Sequence, residues 1–213
     1  MSDLLTAGDV RAALERMADD LTARAEELRA LDAAIGDGDL GITVTLGFAA
    51  VREELAALEG QDIATVVMRA GLAFNRKAAS TFGVLFATMC MRAARVAKGR
   101  DALGVRELAG MFAAAAEGVK ERGKSDVGQK TLLDALVPAA EALQGAAQRG
   151  TTLAQALAAA REAAEAGMVA TEGLKSEVGR SSWFKERTVG VRDPGAMAVY
   201  LMVSSLSAYV AQV

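Results

Sequence analysis

Three aspartates in a short glycine-rich segment, Leu31–Phe48, have the residue types and spacing of a divalent-cation site. Asp32, Asp37 and Asp39 lie at positions i, i+5 and i+7, with glycines between and after them. Glycine permits positive φ, so the loop can turn back and direct its carboxylates to one point. Clustered carboxylates repel one another unless a cation lies between them. A few hard oxygen ligands suit Mg²⁺, which leaves its other coordination sites to water or phosphate oxygens.

A solvated Asp/Gly turn is the simplest alternative, because both residue types form turns commonly. A calcium-binding EF-hand loop fits poorly, since Thr43 occupies the position of the bidentate acid when counting starts at Asp32. A helix that begins at about residues 41–43 would place free backbone N–H groups where phosphates bind. Considered alone, these residues leave both a metal–phosphate site and a structural turn open.

The composition favours closely packed helices over a sheet. Aromatic residues make up 4 % of the 213 residues, while alanine and aliphatic residues dominate. A net charge of −3 and a pI near 5.2 provide no basic surplus for a nucleic-acid partner. Cys90 lies in an apolar run and predicts a buried, inert thiol. The N-terminal residues lack a signal-peptide pattern, so the sequence predicts a cytoplasmic protein.

Helical periodicity recurs along nearly the whole chain. The first amphipathic pattern runs to about Leu31 or Asp32, and Thr6 with Asp9 resembles a capping box at its start. Further helices are expected at about 42–58, 63–74, 81–96, 105–121, 132–147, 152–166 and 195–213. The last of these follows Asp193, a plausible N-cap, and Pro194, a typical first-turn residue. Its serines, tyrosines and glutamine favour a buried bundle helix over a membrane span.

These elements predict an all-α protein, a single domain over residues 1–213. We expect a closed barrel or bundle of about eight antiparallel amphipathic helices with irregular loops gathered at one end. The irregular region at about Gly167–Arg192 is too long for a simple connector and is expected to act as a lid. Trp183 and Phe184 are expected to pack within this lid.

Four segments, in order, resemble motifs of one known family, the L subunit or nucleotide-binding domain of dihydroxyacetone kinases. They are residues 31–48 with LDAAIGDGDLG and GF, 79–85 with ASTFGVL, 128–136 with GQKTLLDAL, and 179–196 with GRSS, ERTVG and DPGA. Together they extend over most of the chain, which makes a chance similarity improbable. The resemblance is to a nucleotide-binding component of a kinase for small ketoses.

The resemblance implies a barrel of eight antiparallel helices with ADP or ATP at one end. Two Mg²⁺ ions would be held by Asp32, Asp37 and Asp39 and would bridge to the phosphates. The implied nucleotide contacts are Leu40, Gly41, Ile42, Thr43, Thr81, Phe82, Gly123, Leu132, Arg180, Asp193, Pro194 and Gly195. Arg180 is also the implied catalytic residue, near the transferred phosphoryl group.

Several of the implied contacts have plainer explanations, which stay open at this point. Asp193 and Pro194 could serve only to start a helix. Leu132 could be part of the core, and Arg180 could form a surface ion pair.

In this family a histidine on a separate K subunit or domain holds the ketose covalently, and the sequence here contains no histidine. The resemblance therefore implies a K-type ketose-binding partner on another polypeptide. The phosphoryl donor would be ATP itself, or a phosphotransferase-system protein that recharges a bound ADP. The sequence does not decide between these modes, and it leaves open a homodimer.

The sequence departs from the family pattern at four positions: Leu40 replaces histidine, Phe82 replaces serine, Gln129 replaces aspartate, and Arg192 precedes the DPG motif. Leu40 and Phe82 lie beside the expected phosphates and remove polar contacts there. The sequence does not identify the ketose, and a tetrulose such as erythrulose is an alternative to dihydroxyacetone. Two other functions stay open: a Mg-ADP-binding regulatory subunit without turnover, and a purely structural bundle.

Overall fold

The computed structural model describes residues 3–213, except for the side chain of Arg180. Nine α-helices account for most of this part of the chain. They are α1 Ala7–Ala23, α2 Ala25–Ile35, α3 Leu40–Ala56, α4 Ile63–Lys77, α5 Thr81–Ala97, α6 Val105–Gly123, α7 Leu133–Arg149, α8 Leu153–Ala170 and α9 Pro194–Val210. The expected all-α fold is confirmed.

Local sequence signals account for several helix starts. The Thr6 hydroxyl accepts a hydrogen bond from the backbone N–H of Asp9, whose carboxylate in turn accepts from the backbone of Thr6. This capping box agrees with the sequence-based prediction. The Ser80 hydroxyl caps α5 by accepting a hydrogen bond from the N–H of Gly83. Asp193 caps α9, with Pro194 in the first turn as predicted.

The first helix predicted from the sequence is two helices in the structure. At Arg24 the backbone leaves the helical region, with φ −104° and ψ 11°, and this residue separates α1 from α2. No glycine or proline lies near the break, so the hydrophobic periodicity gave no sign of it. A second difference is a pair of two-residue antiparallel strands, β1 (Leu5–Thr6) and β2 (Ala102–Leu103), which ties the N-terminal segment to the α5–α6 connection.

Eight of the helices form a closed ring. From α3 to α9 each helix packs against the next, and α1 closes the ring by packing against both α3 and α9. The remaining helix, α2, packs against α3 and α9. Apolar side chains fill the interior, including the buried rings of Phe48, Phe74 and Phe86, whose centroids lie 4.6–5.7 Å apart. Such aromatic contacts add to the stabilisation from apolar burial.

The structure also bears on the predictions for Cys90 and for the apolar final helix. Cys90 is buried, and burial raises the pKa of its thiol to about 12, which agrees with an inert core thiol. None of the helices described is long and apolar enough to cross a lipid bilayer.

Candidate functional site

A cavity of about 230 Å³ opens at one end of the helical ring. The acidic loop between α2 and α3, the first turns of α5 and α9, the last turn of α6 and the segment before α7 all contribute to its wall. The lining residues are Asp32, Gly36, Asp37, Asp39, Leu40, Ser80, Thr81, Phe82, Leu85, Val119, Gly123, Ser125, Lys130, Thr131, Leu132, Val178, Gly179, Ser181, Asp193, Pro194 and Gly195. Segments distant in sequence therefore meet at a single concave surface.

The acidic loop brings its three carboxylates together. Asp32 lies in the last turn of α2, whereas Asp37 and Asp39 lie in the connection to α3. One carboxylate oxygen from each residue lies within 4.8 Å of the other two. Gly38 has φ +74°, a left-handed conformation that lets the chain reverse between the two loop aspartates. Since two oxygens bound to one Mg²⁺ are at most about 4.2 Å apart, small side-chain rotations would suffice for binding.

The electrostatics of this cluster favour a bound cation. Burial raises the pKa of Asp39, and the nearby Asp32 carboxylate raises it further. A divalent cation that lies among carboxylates removes this charge repulsion. Because all three donors are hard oxygens on a partly exposed surface, the cluster fits Mg²⁺ with additional ligands from water or phosphate.

Four helices, α3, α5, α7 and α9, begin at the end of the ring that carries the cavity. The N-terminus of a helix carries partial positive charge and backbone N–H groups, and both favour anions. A phosphate group placed in the cavity would therefore lie near the carboxylate cluster and the positive helix ends together. This combination of charges is suited to a Mg-phosphate ligand.

Most of the residues implied as nucleotide contacts lie in the cavity wall, namely Leu40, Thr81, Phe82, Gly123, Leu132, Asp193, Pro194 and Gly195. Phe82 is buried, and its ring centroid lies 6.1 Å from that of Phe74. This side chain therefore joins the aromatic core beneath the cavity, which gives a packing role to one departure from the family pattern.

Three of the implied contacts, Gly41, Ile42 and Thr43, lie outside the cavity lining. Ile42 is 59 % exposed on the outer surface of α3, and Thr43 is buried. Gly41 faces α2, where an added Cβ would lie 2.3 Å from the carbonyl oxygen of Ala25. The first turn of α3 after Leu40 therefore presents its side chains to neighbouring helices or solvent and not to the cavity.

Asp193 is buried at the base of the cavity. Its carboxylate accepts a hydrogen bond of 2.7 Å from the N–H of Ala196. Burial is the largest cause that raises its pKa, to about 7, and Asp134 adds to the increase, whereas the N–H of Ala196 and the Lys130 ammonium act in the opposite direction. This residue thus combines the capping of α9 with a place in the cavity wall.

The segment expected to form a lid is partly helical. Helix α8 extends to Ala170, and short 3-10 helices follow at Thr171–Gly173 and Arg180–Thr188. The Arg180 side chain, which carries the implied catalytic role, lies outside the described part of the structure. The sequence predicted that Trp183 packs within this segment. That prediction is wrong, because Trp183 is 80 % exposed. Phe184 is partly buried and lies under the Arg187 guanidinium, 5.7 Å from ring centroid to Cζ.

Sequence reasoning assigned no role to several residues of the cavity wall, of which Lys130 is the most notable. Its ammonium donates to three backbone carbonyls. The neighbouring Asp134 carboxylate accepts from the N–H groups of Gly128 and Thr131, both at 2.6 Å, and so shapes the loop that carries Lys130. The available signal was the GQKTLLDAL motif, in which both residues stand.

The fold and the site together define the class of protein. The family profile of the DAK2 domain matches residues 34–208. The ADP-binding subunit DhaL of the PEP-dependent dihydroxyacetone kinase of Escherichia coli (strain K12) is 35 % identical over 194 residues, 91 % of this chain and 92 % of that subunit. The chain belongs to the family of dihydroxyacetone kinase L subunits, which confirms the resemblance seen in its motifs.

Longer relatives match over a part of their length. The D-erythrulose kinase of Mycolicibacterium smegmatis is 33 % identical over 207 residues, 93 % of this chain and 34 % of that enzyme. The crystal structure of the dihydroxyacetone kinase of C. freundii in its native form superposes with a TM-score of 0.72 at 26 % identity. The structure of that kinase with AMP-PNP and Mg²⁺ gives a TM-score of 0.69 at 25 % identity. This chain spans about a third of the C. freundii kinase, 34 % and 33 % in the two structures.

Proposed function

We propose that this chain is the nucleotide-binding component of a two-part kinase that phosphorylates a small ketose. In this proposal residues 1–213 form one L-type domain, and the cavity at the end of the ring binds Mg-ADP or Mg-ATP. The observation that carries the proposal is the cluster of Asp32, Asp37 and Asp39 carboxylates in the wall of a cavity toward which helix N-termini point. Relatives named as ADP-binding subunits and a related kinase crystallised with AMP-PNP and Mg²⁺ support it.

The three aspartates would hold two Mg²⁺ ions. When bound, these ions would neutralise the charge on the nucleotide phosphates and polarise the transferred group. Asp32 accepts a hydrogen bond from the N–H of Leu40, which holds this carboxylate and the acidic loop against α3. Thr81 and the first turn of α5 would lie beside the phosphates, and Leu132 with Gly123 would flank the base.

The other half of the reaction requires a ketose-binding partner. These 213 residues contain no histidine, so they offer no imidazole to hold a ketose covalently. We therefore propose a K-type subunit or domain as the partner, with Arg180 as the cationic group near the transferred phosphoryl. One relative is named as a D-erythrulose kinase, and another as a subunit of a PEP-dependent dihydroxyacetone kinase. Erythrulose and dihydroxyacetone are therefore both candidate substrates here, and ATP and a PEP-dependent system are both candidate phosphoryl donors.

Nucleotide binding is tested first, by calorimetric titration of Mg-ADP into the wild-type chain and into Asp37→Asn. Loss of one metal-binding carboxylate is expected to weaken Mg-ADP binding by at least about tenfold. Mutation of a residue that only supports a metal ligand already weakens metal binding by about 10- to 100-fold. Asp101→Asn is the matched control, because Asp101 is an exposed aspartate just after α5, at the end of the ring opposite the cavity. Absence of heat with the wild-type chain, or equal affinity in Asp37→Asn, would contradict the proposed site.

Turnover is tested by mixing the chain with a K-type ketose-binding subunit and Mg²⁺. Dihydroxyacetone and erythrulose are each supplied with ATP, or with PEP and its phosphotransferase proteins, and the phosphorylated ketose is detected by ³¹P NMR. A phosphorylated ketose in one of these combinations is the expected result. Mg-ADP binding without product in any combination would favour a regulatory subunit that does not turn over.

A further inference from the structure

Both ends of the lid segment, defined as residues 171–192, meet at a single side chain. The ammonium of Lys130 donates to the carbonyl oxygens of Thr171 and Leu174, where the segment leaves α8. It also donates to the carbonyl oxygen of Val191, just before the segment reaches α9. These acceptors lie 41, 44 and 61 residues from Lys130 in sequence. One cation therefore joins the entry and the exit of the segment.

The position of Lys130 is fixed by its own loop. Its backbone has φ +60°, a left-handed conformation that residues other than Gly, Asn and Asp rarely adopt. Two N–H groups of the loop donate to the Asp134 carboxylate at 2.6 Å, and Asp134 itself lies in the first turn of α7. The loop therefore holds an unfavourable backbone conformation that aims the lysine side chain at the lid segment.

The ammonium is fully engaged in this role. Lys130 is 1 % exposed, and an ammonium has three protons, which match its three carbonyl acceptors. Burial lowers its pKa, but the carboxylates of Asp193, Glu172 and Asp134 face it and favour the charged form. With its donors directed to the lid segment, Lys130 can line the cavity without donating to a ligand.

Further hydrogen bonds tie the base of the lid segment and leave its tip exposed. Thr171 accepts from the N–H of Asp193 at 2.9 Å, and the N–H of Gly190 donates to the Glu172 carbonyl at 2.8 Å. Between these ties the segment contributes Val178 and other residues to the cavity wall. At the tip, Trp183 is 80 % exposed. The geometry of the cavity wall thus depends on how firmly the base of the segment is held.

We propose that Lys130 is a positioning residue that fastens both ends of the lid segment and thereby sets the affinity of the cavity for Mg-nucleotide. The effect on affinity rests on the nucleotide site proposed above. The fastening itself is a property of the chain without ligand and can be measured separately. Lys130 acts through the lid segment and not by contact with the phosphates.

The test replaces Lys130 with methionine, which keeps an unbranched apolar stem but removes the ammonium group. Trp183 is the one tryptophan in the sequence, so its fluorescence anisotropy reports motion of the lid segment directly. Tryptic cleavage after Lys175, Lys185 and Arg187, followed by mass spectrometry, reports opening of the same segment. Lys98→Met is the control, because Lys98 is an exposed lysine at the end of α5 farthest from the cavity.

In the nucleotide-free chain, Lys130→Met is expected to lower Trp183 anisotropy and to accelerate cleavage within residues 171–192 several-fold, while the helical circular dichroism signal is retained. Lys98→Met should match the wild type. Affinity for Mg-ADP should fall by about tenfold in Lys130→Met, as for other residues that act on a site indirectly. If the wild type binds no Mg-ADP, the proposed function fails, but the nucleotide-free measurements still decide the role of Lys130.

Lys130→Gln is a second variant, whose neutral amide keeps two N–H donors where the ammonium has three. Its lid segment should be more mobile than that of the wild type and less mobile than that of Lys130→Met. Unchanged anisotropy and cleavage in a folded variant would overturn the proposal. Loss of the helical signal in both variants would also overturn it, because it would assign Lys130 to the stability of the ring and not to the lid.

Discussion

The backbone N–H of Leu40 donates a hydrogen bond of 3.0 Å to the Asp32 carboxylate across the acidic loop. This contact joins the last turn of α2 to the first residue of α3 and fixes the separation between the two helices. The same carboxylate belongs to the cluster that is suited to Mg²⁺. Asp32 therefore has a structural role and a proposed ligand role, and substitutions can separate them.

Asp32→Asn and Asp32→Ala are expected to differ in stability but not in metal binding. The asparagine carbonyl can still accept from Leu40, so this variant should unfold close to the wild-type urea midpoint. Alanine removes the acceptor, which should lower the free energy of unfolding by about 1 kcal/mol. Both variants should lose most of their Mg-ADP affinity in calorimetry. Equal stability of the two variants would show that the contact with Leu40 contributes little.

Gly41→Ala is expected to destabilise the junction of α2 and α3. The added methyl group would lie 2.3 Å from the Ala25 carbonyl oxygen and 2.9 Å from Cβ of Arg29, so the helices must separate. Overpacking of this kind typically lowers the free energy of unfolding by about 1–3 kcal/mol. Gly8→Ala is the matched control within α1, where the nearest atom would be 3.6 Å away. That control should be neutral or stabilising in urea denaturation.

Asp193 should make the stability of the chain depend on pH in a defined direction. Its folded-state pKa is raised to about 7, whereas in the unfolded chain it should titrate near the ordinary value of about 3.9. Between these values the folded chain holds a proton that the unfolded chain has released. The contribution of this group to stability is therefore full below about pH 4, declines as the pH rises, and is lost above about pH 7.

The variant Asp193→Asn isolates this contribution, because asparagine can also cap α9 but does not titrate. Urea denaturation of both proteins at pH 4.5, 6 and 7.5 gives the difference in the free energy of unfolding. The wild type should lose stability relative to Asp193→Asn as the pH increases. A constant difference across this range would mean that the carboxylate is ionised throughout in the folded chain.

Thermal protection by ADP should require Mg²⁺. The carboxylate cluster repels nucleotide phosphates in the absence of a cation, so ADP with EDTA should leave the melting temperature nearly unchanged. With Mg²⁺, a ligand at 100 times its dissociation constant should add about 2.7 kcal/mol to the free energy of unfolding. Asp37→Asn should lose this protection and Asp101→Asn should keep it. Full protection by ADP in EDTA would contradict a metal-dependent site.

Local rules predicted much of the helical framework. The hydrophobic spacing of each helix, the Thr6–Asp9 capping box and the start of α9 at Asp193 and Pro194 depend on neighbours within a few residues. The same holds for the acidic loop, where glycines and aspartates adjacent in sequence are also adjacent in space. The break between α1 and α2 at Arg24 was not predicted, because no residue near it disfavours a helix.

Only the tertiary structure decided how distant segments complete the cavity. A side chain at position 41 would meet α2, and closure of the ring determines which side of α3 turns toward its neighbours. Lys130 stands in a family motif, but its contacts with the lid segment could not be predicted from local spacing, because its acceptors lie 41 to 61 residues away. The sequence by itself therefore determined the helices and the carboxylates that they carry. The packing of the ring determined which other side chains meet those carboxylates, because such contacts depend on chain closure and not on local spacing.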